Sequence, residues 1–502
     1  MWLALGTFAL HLFGAARFGF FRDELYFIAC SQHLAWGYVD QPPFVALVSA
    51  LAAPFHYSLL AVRLTPSIAA ALTVYAVCFL ARDLGAGRFG QLLAGVAVLF
   101  MPANLALGSM LATTSFEPLT WTCTILAAMR ILSGGGARAW SMVALIVAAG
   151  FYAKYTIVLL AVALLIGILF TRERRVLRTP WLGLTSLFCL ILVAPNLFWQ
   201  VSHHLPFLDV IHGDAVKRHA LQNGLQTEFR STWHNAVAFF TEQVLYTGPL
   251  TTAMWLLGVW YFWQRRPEYR FIVVAYVFLL GVCVALGAKG YYIIGVYPVL
   301  VSGGAVLLDE LLGRKAIART LVFASVLVLG AFLTPLSMAV LPVQRFVQYS
   351  QMLHLTGYGK NAHLIQPLYA DEFGWRGTAE HVARVYDALP AAQRAKTAIY
   401  ADTYGYAGAL NLYGPRYGLP TPLGGQNTFW LWGTHGYDGS SVIAVGATQY
   451  HLFVQLFKSV KQVDVYTNPN RWVLEGPLPI YLCTEPIAPL AIMWPRFRYY
   501  GP

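Results

Sequence analysis

Charged residues are scarce in this chain of 502 residues. Asp, Glu, Lys and Arg together account for 11% of it, whereas hydrophobic residues account for 58%. A soluble domain usually carries about 25% charged residues. The composition therefore excludes an ordinary soluble protein and predicts a polytopic membrane protein.

Motifs of several common function classes are missing as well. The six cysteines are scattered without a Cys-x-x-Cys pair, and most lie in apolar runs, where cysteine is typically a small hydrophobic residue. The C-terminal third has no Gly-x-Gly-x-x-Gly phosphate motif, which argues against a nucleotide site there. Lys and Arg outnumber Asp and Glu by 34 to 22, and in a membrane protein this excess marks cytoplasmic loops rather than a nucleic-acid surface.

Apolar segments long enough, or nearly long enough, to span a membrane recur along the first two-thirds of the chain. The 138–153 and 155–171 pair is short and could instead form a hairpin that does not cross fully. The pattern predicts about eleven transmembrane helices, at 1–17, 57–80, 90–111, 117–133, 138–153, 155–171, 180–200, 236–263, 270–288, 291–312 and 316–340.

Basic residues occupy every second loop, for example at Arg82 and Arg88 and at Arg172 to Arg178, and the positive-inside rule makes these loops cytoplasmic. The opposite loops and the chain after about Leu341 are then external, so the working face is external. Residues 1–340 are expected to form a transmembrane domain in the inner (plasma) membrane. Its external loop 18–56 reads as two amphipathic surface helices, the first at Leu25 to Trp36 and the second from Pro42-Pro43.

Residues 341–502 have the composition of a soluble domain, and strand and helix patterns alternate in them. This alternation predicts a small external (periplasmic) α/β domain. The expected strands are Thr397–Tyr400, Ser441–Val445 and Gln462–Val465, and the expected helices are Thr378–Leu389, Tyr404–Leu412 and Gln449–Phe457.

Three ionisable positions stand out on the external side. Asp23-Glu24 follows the first apolar segment, and Glu117 follows the third. These carboxylates could deprotonate a hydroxyl, bind a divalent cation such as Mg²⁺ or Mn²⁺, or only cap helices. Lys154 is a lone lysine between two apolar runs, which is costly unless the lysine is paired, has a function or snorkels to lipid headgroups.

Several stretches along the whole chain resemble one family. They occur in the order found in bacterial polyprenyl-phosphate-sugar glycosyltransferases of the type C fold, which are related to protein O-mannosyltransferases and to the lipid A aminoarabinose transferase. The stretches are Phe21–Tyr26, Trp36–Pro43, Phe116–Leu119, Ala153–Tyr155, Ala194–Gln200, Lys289–Tyr292 and Tyr404–Ala409. The chain departs from the aminoarabinose transferase at Tyr26 and Gln41, near which that enzyme carries basic residues.

The resemblance implies a reaction and a set of site residues. An inverting enzyme of this kind moves a sugar from a polyprenyl-phosphate donor to a hydroxyl of a lipid, glycan or protein acceptor. Asp23 would be the base, with Glu24 and Glu117 also catalytic and a divalent cation near Asp23 and Glu117 as an option. The expected substrate-binding residues are Tyr26, His33, Tyr38, Asp40, Gln41, Arg63, Lys154, Lys289 and Tyr292.

Two other function classes compete with this one. A transporter or flippase of lipid-linked sugars would need ionisable residues near mid-membrane and inverted repeats, whereas the apolar segments here are almost free of charge. A scaffold or receptor would leave Asp23, Glu117 and Lys154 unexplained. The sequence therefore favours chemistry at one membrane face.

Overall fold

α-Helices make up most of the chain. The computed structural model describes residues 1–213, 232–355, 367–446, 448–470 and 476–501. In chain order its α-helices are α1 (Trp2–Ala15), α2 (Arg22–Ser31), α3 (Phe44–Ala50), α4 (Leu59–Asp83), α5 (Arg88–Leu99), α6 (Pro102–Gly108), α7 (Glu117–Leu132), α8 (Gly136–Ala153), α9 (Ile157–Leu169), α10 (Pro180–Ser202), α11 (Thr232–Thr247), α12 (Pro249–Gln264), α13 (Arg270–Ala285), α14 (Tyr297–Leu312), α15 (Ala316–Leu333), α16 (Val343–Met352), α17 (Pro367–Ala370), α18 (Trp375–Asp387), α19 (Ala391–Arg394), α20 (Tyr404–Tyr413), α21 (Thr428–Leu431), α22 (Tyr450–Leu456) and α23 (Leu490–Met493).

The described strands all lie in the C-terminal third. They form one sheet in the order β2-β1-β3-β5-β4, in which β1 is parallel to β2 and β3 while β5 is antiparallel to β3 and β4. The strands are β1 (Thr397–Ala401), β2 (Leu423–Gly424), β3 (Ser441–Val445), β4 (Phe457–Tyr466) and β5 (Leu478–Pro486). The three expected strands are present, and β2 and β5 were not expected. β2 has only two residues, and prolines in β5 weaken its strand pattern.

The chain divides into two compact units. The helical unit consists of Met1–Ala15, Arg63–Phe198 and Leu221–Val340. The mixed unit consists of Ala16–Val62, Trp199–Ala220 and Leu341–Pro502, and contains the sheet. The segment Ala16–Val62 is therefore packed in the same unit as the C-terminal region.

Fewer helices are long enough to span a membrane than the sequence pattern predicts. Within the described part of the chain, six helices are long and apolar enough to cross a membrane. A seventh candidate is the pair of α5 and α6, which is bent by 63°. The multi-pass architecture is confirmed, whereas the count of eleven spans is not.

Two predicted single spans are broken, each beside a proline. The 90–111 segment breaks before Pro102, whose ring cannot continue a helical hydrogen-bond ladder. The 236–263 segment is two helices, because Gly248 adopts a φ of 79° and Pro249 begins α12. The 138–153 segment, expected to be short, is instead the full-length helix α8, whereas α9 has 13 residues.

Glycines control the closest helix packing in the helical unit. A methyl group on Gly258 of α12 would lie 1.8 Å from the Leu300 carbonyl oxygen, and one on Gly304 of α14 would lie 1.9 Å from the Met254 carbonyl oxygen. The backbones of α12 and α14 therefore approach each other directly, as small residues allow in membrane helices.

Gly304→Ala should therefore push α12 and α14 apart and destabilise the protein by about 1–3 kcal/mol, the usual cost of overpacking. The melting temperature of the purified protein in detergent measures the effect. Gly281→Ala is the matched control, since a methyl group there meets nothing within 4 Å. Equal melting temperatures for both variants would contradict the packing argument.

Candidate functional site

Asp23 lies in the first turn of α2 in the mixed unit. Its Oδ1 accepts a hydrogen bond of 2.8 Å from the Tyr404 hydroxyl at the start of α20. The neighbouring Arg22 forms an ion pair of 2.8 Å with Asp371. The Tyr404 hydroxyl thus orients the Asp23 carboxylate.

Glu24 has a clear structural task. Its Oε2 accepts a hydrogen bond of 2.8 Å from the backbone N–H of Phe21, and its side chain is fully buried. This contact satisfies a donor at the beginning of α2. Of the two neighbouring acids, Glu24 caps the helix while Asp23 faces Tyr404.

Asp40 lies at the centre of a second network in the mixed unit. The Tyr26 hydroxyl donates to Asp40 Oδ1 over 2.7 Å, and Asn427 donates to Asp40 Oδ2 over 3.1 Å. The Thr428 hydroxyl lies 2.7 Å from the Tyr26 oxygen and accepts from the Val39 backbone N–H over 3.1 Å. Burial, helped by the charge of Asp23, raises the pKa of Asp40 to about 7 against the hydrogen bonds.

Three other predicted binding residues pack within the same unit. Tyr38 is 1% exposed, and its hydroxyl donates to the Cys30 carbonyl oxygen over 3.0 Å. Gln41 is 2% exposed, with its amide 3.7 Å from the Cys30 sulfur. The His33 ring stacks on Trp432 at 4.4 Å between centroids. These contacts fix the loop between α2 and α3.

Glu117 and Lys154 form a cluster in the helical unit. Lys154 Nζ donates to Glu117 Oε2 over 3.1 Å and to the Thr114 hydroxyl over 2.6 Å, while the Thr156 hydroxyl donates to Glu117 Oε1. The Glu117 side chain is 3% exposed and that of Lys154 is 15% exposed. The two opposite charges attract each other more strongly in such shielded surroundings than they would in water.

Aromatic rings complete this cluster. Lys154 Nζ lies 4.9 Å from the ring centre of Tyr291 and 5.1 Å from that of Tyr292, which is cation–π distance. Lys289 is close enough for its charge to act on the Lys154 ammonium. The helical unit therefore brings together four predicted site residues, Glu117, Lys154, Lys289 and Tyr292.

Arg63 lies apart from the Lys154 contacts. It is 1% exposed, and its guanidinium donates to the carbonyl oxygen of Ala15 over 2.9 Å. Ala15 is the last residue of α1, where backbone carbonyls lack helical partners. Arg63 thus caps α1.

The carboxylates make a poor donor set for the divalent cation considered above. Glu117 is already paired with Lys154 and Thr156, and Asp23 already accepts from Tyr404. Among the residues that the structure describes, no group of three or more His, Cys, Asp and Glu side chains is arranged to hold a metal ion.

Sequence reasoning missed the partners of these acids. Tyr404 belongs to a stretch quoted for the family resemblance, but nothing local links it to Asp23, 381 residues away. Thr114, Thr156 and Thr428 are ordinary threonines in the sequence and gain their role only from the fold. The signal for Tyr404 was the motif itself, in which Gly405 and Gly408 follow the tyrosine.

Part of the chain is similar to a known protein family. Residues 40–199 match a family model described as dolichyl-phosphate-mannose-protein mannosyltransferase. Sequence comparison with curated proteins gave no match.

Solved structures resemble nearly the whole chain. ArnT from Cupriavidus metallidurans in the apo state is similar over 96% of this chain and 97% of its own, with 13% identity and a TM-score of 0.63. The same protein bound to undecaprenyl phosphate gives the same coverage and identity and a TM-score of 0.60. The Archaeoglobus fulgidus oligosaccharyltransferase in complex with Zn and sulfate is similar over 90% of this chain and 69% of its own, with 13% identity and a TM-score of 0.51. These matches confirm the predicted resemblance to glycosyltransferases of the type C fold.

Breaking the Glu117–Lys154 pair should destabilise the protein. Lys154→Met leaves a buried carboxylate without its counter-charge, at a cost of about 3–5 kcal/mol, whereas Glu117→Gln with Lys154→Met should cost less than Lys154→Met alone. Unfolding in detergent measures both. Arg376→Met is the control, since the Arg376–Glu380 pair is exposed and worth about 0–1 kcal/mol. Additive losses in the double variant would contradict a buried pair.

The raised pKa of Asp40 makes stability depend on pH. The folded state holds the Asp40 proton up to about pH 7, whereas an ordinary aspartate releases it near pH 3.8. This contribution is complete below pH 3.8 and is lost as the pH rises towards 7, because proton release then favours the unfolded state. Melting temperatures of wild type and Asp40→Asn across this range test it. The difference between the two proteins should change steadily over that interval, and a constant difference would refute the shift.

Proposed function

We propose that this protein is an inverting glycosyltransferase that moves a sugar from a polyprenyl-phosphate donor to a hydroxyl acceptor at the external face of the inner membrane. The observation that carries the proposal is Asp23, a carboxylate outside the candidate membrane spans, oriented by the Tyr404 hydroxyl at 2.8 Å. The likeness to ArnT, whose structure holds undecaprenyl phosphate, supports a donor of this lipid class. The match to a mannosyltransferase family model supports sugar transfer.

The reaction needs one base and one group that stabilises the leaving phosphate. Asp23 takes the proton of the acceptor hydroxyl, and the acceptor oxygen bonds to the anomeric carbon of the sugar. The bond from that carbon to the phosphate oxygen breaks, its electron pair leaves with the polyprenyl phosphate, and the configuration inverts. Negative charge grows on the phosphate, and a basic side chain lowers the barrier by stabilising it.

Lys289 is our first choice for the phosphate contact. Lys154 was the more pointed choice from sequence, but its ammonium is largely compensated by Glu117. Arg63 is deeply buried against Ala15. We therefore propose that Lys154 and Glu117, with Tyr292 beside them, shape the binding region and do not contact the phosphate. The acceptor is a lipid, glycan or protein.

Asp23→Asn should leave expression and membrane insertion unchanged and should lower sugar transfer by about 10²–10⁴-fold, the usual contribution of a general base. The assay uses purified protein in liposomes, a panel of radiolabelled polyprenyl-phosphate sugars and native membrane extract as acceptor. Asp387→Asn is the control, since the side chain of Asp387 is 62% exposed and paired only loosely with Arg394 at 3.3 Å.

The two main alternatives give different results in the same assay. Label that crosses the bilayer without reaching an acceptor, equally in wild type and Asp23→Asn, would indicate a flippase and overturn the proposal. Transfer that Asp23→Asn leaves unchanged would keep the enzyme and remove the base assignment.

A further inference from the structure

Tyr404 is brought to Asp23 by a chain of backbone restraints. β1 ends at Ala401, and α20 begins at Tyr404 after Thr403, whose side chain accepts from the Tyr406 backbone N–H over 3.4 Å. The backbone N–H of Tyr404 donates to the side chain of Gln426 over 2.8 Å. The carboxyl end of β1 thus determines where α20 begins, and with it the position of Tyr404.

Two glycines then let α20 lie directly on α2. A methyl group on Gly408 would be 2.7 Å from the backbone carbonyl carbon of Leu25, and one on Gly405 would be 2.8 Å from Cγ of Arg22. Only glycine permits this approach without a shift of one helix. The approach brings the hydroxyl of Tyr404 within hydrogen-bond distance of Asp23.

The Tyr404 ring is also held from the side. It lies 5.1 Å from the ring of Tyr26, and Tyr26 is itself fixed by Asp40 and Thr428. Burial and the charge of Asp23 raise the pKa of Tyr404 well above its ordinary value of 10.0. The hydroxyl therefore stays protonated and donates at every working pH.

We propose that Tyr404 is a positioning residue for the reaction, and that its hydroxyl fixes the orientation of the Asp23 carboxylate towards the acceptor. This inference rests on the proposed function, in which Asp23 is the base. It makes the C-terminal region part of the proton-transfer apparatus. Tyr404 acts through Asp23 and does not itself exchange a proton with substrate.

The hydrogen bond has two consequences for Asp23. It restricts rotation of the carboxylate, and small errors in the geometry of a catalytic group cost about 10²-fold in rate. It also stabilises the ionised form, so its loss should raise the pKa of the base. Among the described residues, the charged or titratable groups that act in this region include Asp40, Tyr26 and the Arg22–Asp371 pair, and Tyr404→Phe leaves each of them in place.

Tyr404→Phe tests the inference in the assay described for Asp23. The kcat should fall by about 10–100-fold while the KM for the lipid-linked donor stays within about twofold. The acidic limb of the pH–rate profile should move to higher pH. Tyr417→Phe is the matched control, since it removes a hydroxyl that donates to the exposed Glu380 over 2.8 Å in the same unit.

Gly408→Ala is a second variant that keeps the hydroxyl but moves the helix that carries it. It should lower kcat in a protein that still melts cooperatively. Wild-type kcat and pH profile in Tyr404→Phe, with Asp23→Asn inactive, would overturn the role of Tyr404 and leave the proposed function standing. Unchanged transfer in Asp23→Asn would remove the base assignment, and with it the role of Tyr404, while label that crosses the bilayer without reaching an acceptor would overturn the function itself.

Discussion

A carboxylate that is shielded from solvent needs donors to satisfy it, and this constraint acts in both units. Asp23 has Tyr404, Asp40 has Tyr26 and Asn427, and Glu117 has Lys154. An unpaired buried charge costs several kcal/mol, so each of these donors has to be delivered to its acid by the fold. The positions of the helices around the acids follow from that requirement.

In the mixed unit, acids near the start of the chain are satisfied by donors from its C-terminal region. Two of the donors are distant in sequence from their acids. Tyr404, which donates to Asp23, follows the carboxyl end of β1, and Asn427, which donates to Asp40, follows the carboxyl end of β2. The carboxyl ends of parallel strands are where α/β sheets commonly present functional side chains. The segment that carries Asp23 and Asp40 is thereby structured by residues nearly 400 positions later, and Gly408 is the residue that allows the contact. A substitution in α20 would then affect the loop that carries Asp23 as much as the sheet.

Composition and loop charge were enough to predict a multi-pass membrane fold, and the ordered motifs were enough to predict the superfamily. The breaks at Pro102 and at Gly248-Pro249 were missed because apolar length was counted without the backbone limits that proline imposes. Asp23, Asp40 and Glu117 could be selected by residue type. Their donors could not, because tyrosine and threonine have many ordinary roles and sequence separation hides a contact such as that of Tyr404 with Asp23. The hydrogen-bond partners of these acids could therefore be identified only from the folded structure, in which residues distant in sequence come into contact.

Pairing also changes which lysine suits an anionic substrate. An ammonium beside a carboxylate 3.1 Å away presents nearly no net charge at a distance, and the faces of Tyr291 and Tyr292 further occupy the Lys154 cation. Lys289 adds a second positive charge to this cluster, and the carboxylate of Glu242 lies beside it, accepting from the Gly290 backbone N–H over 3.0 Å. Attraction of a phosphate depends on the sum of the charges, not on the most buried one. Lys154 and Glu117 together therefore add little net charge to this cluster.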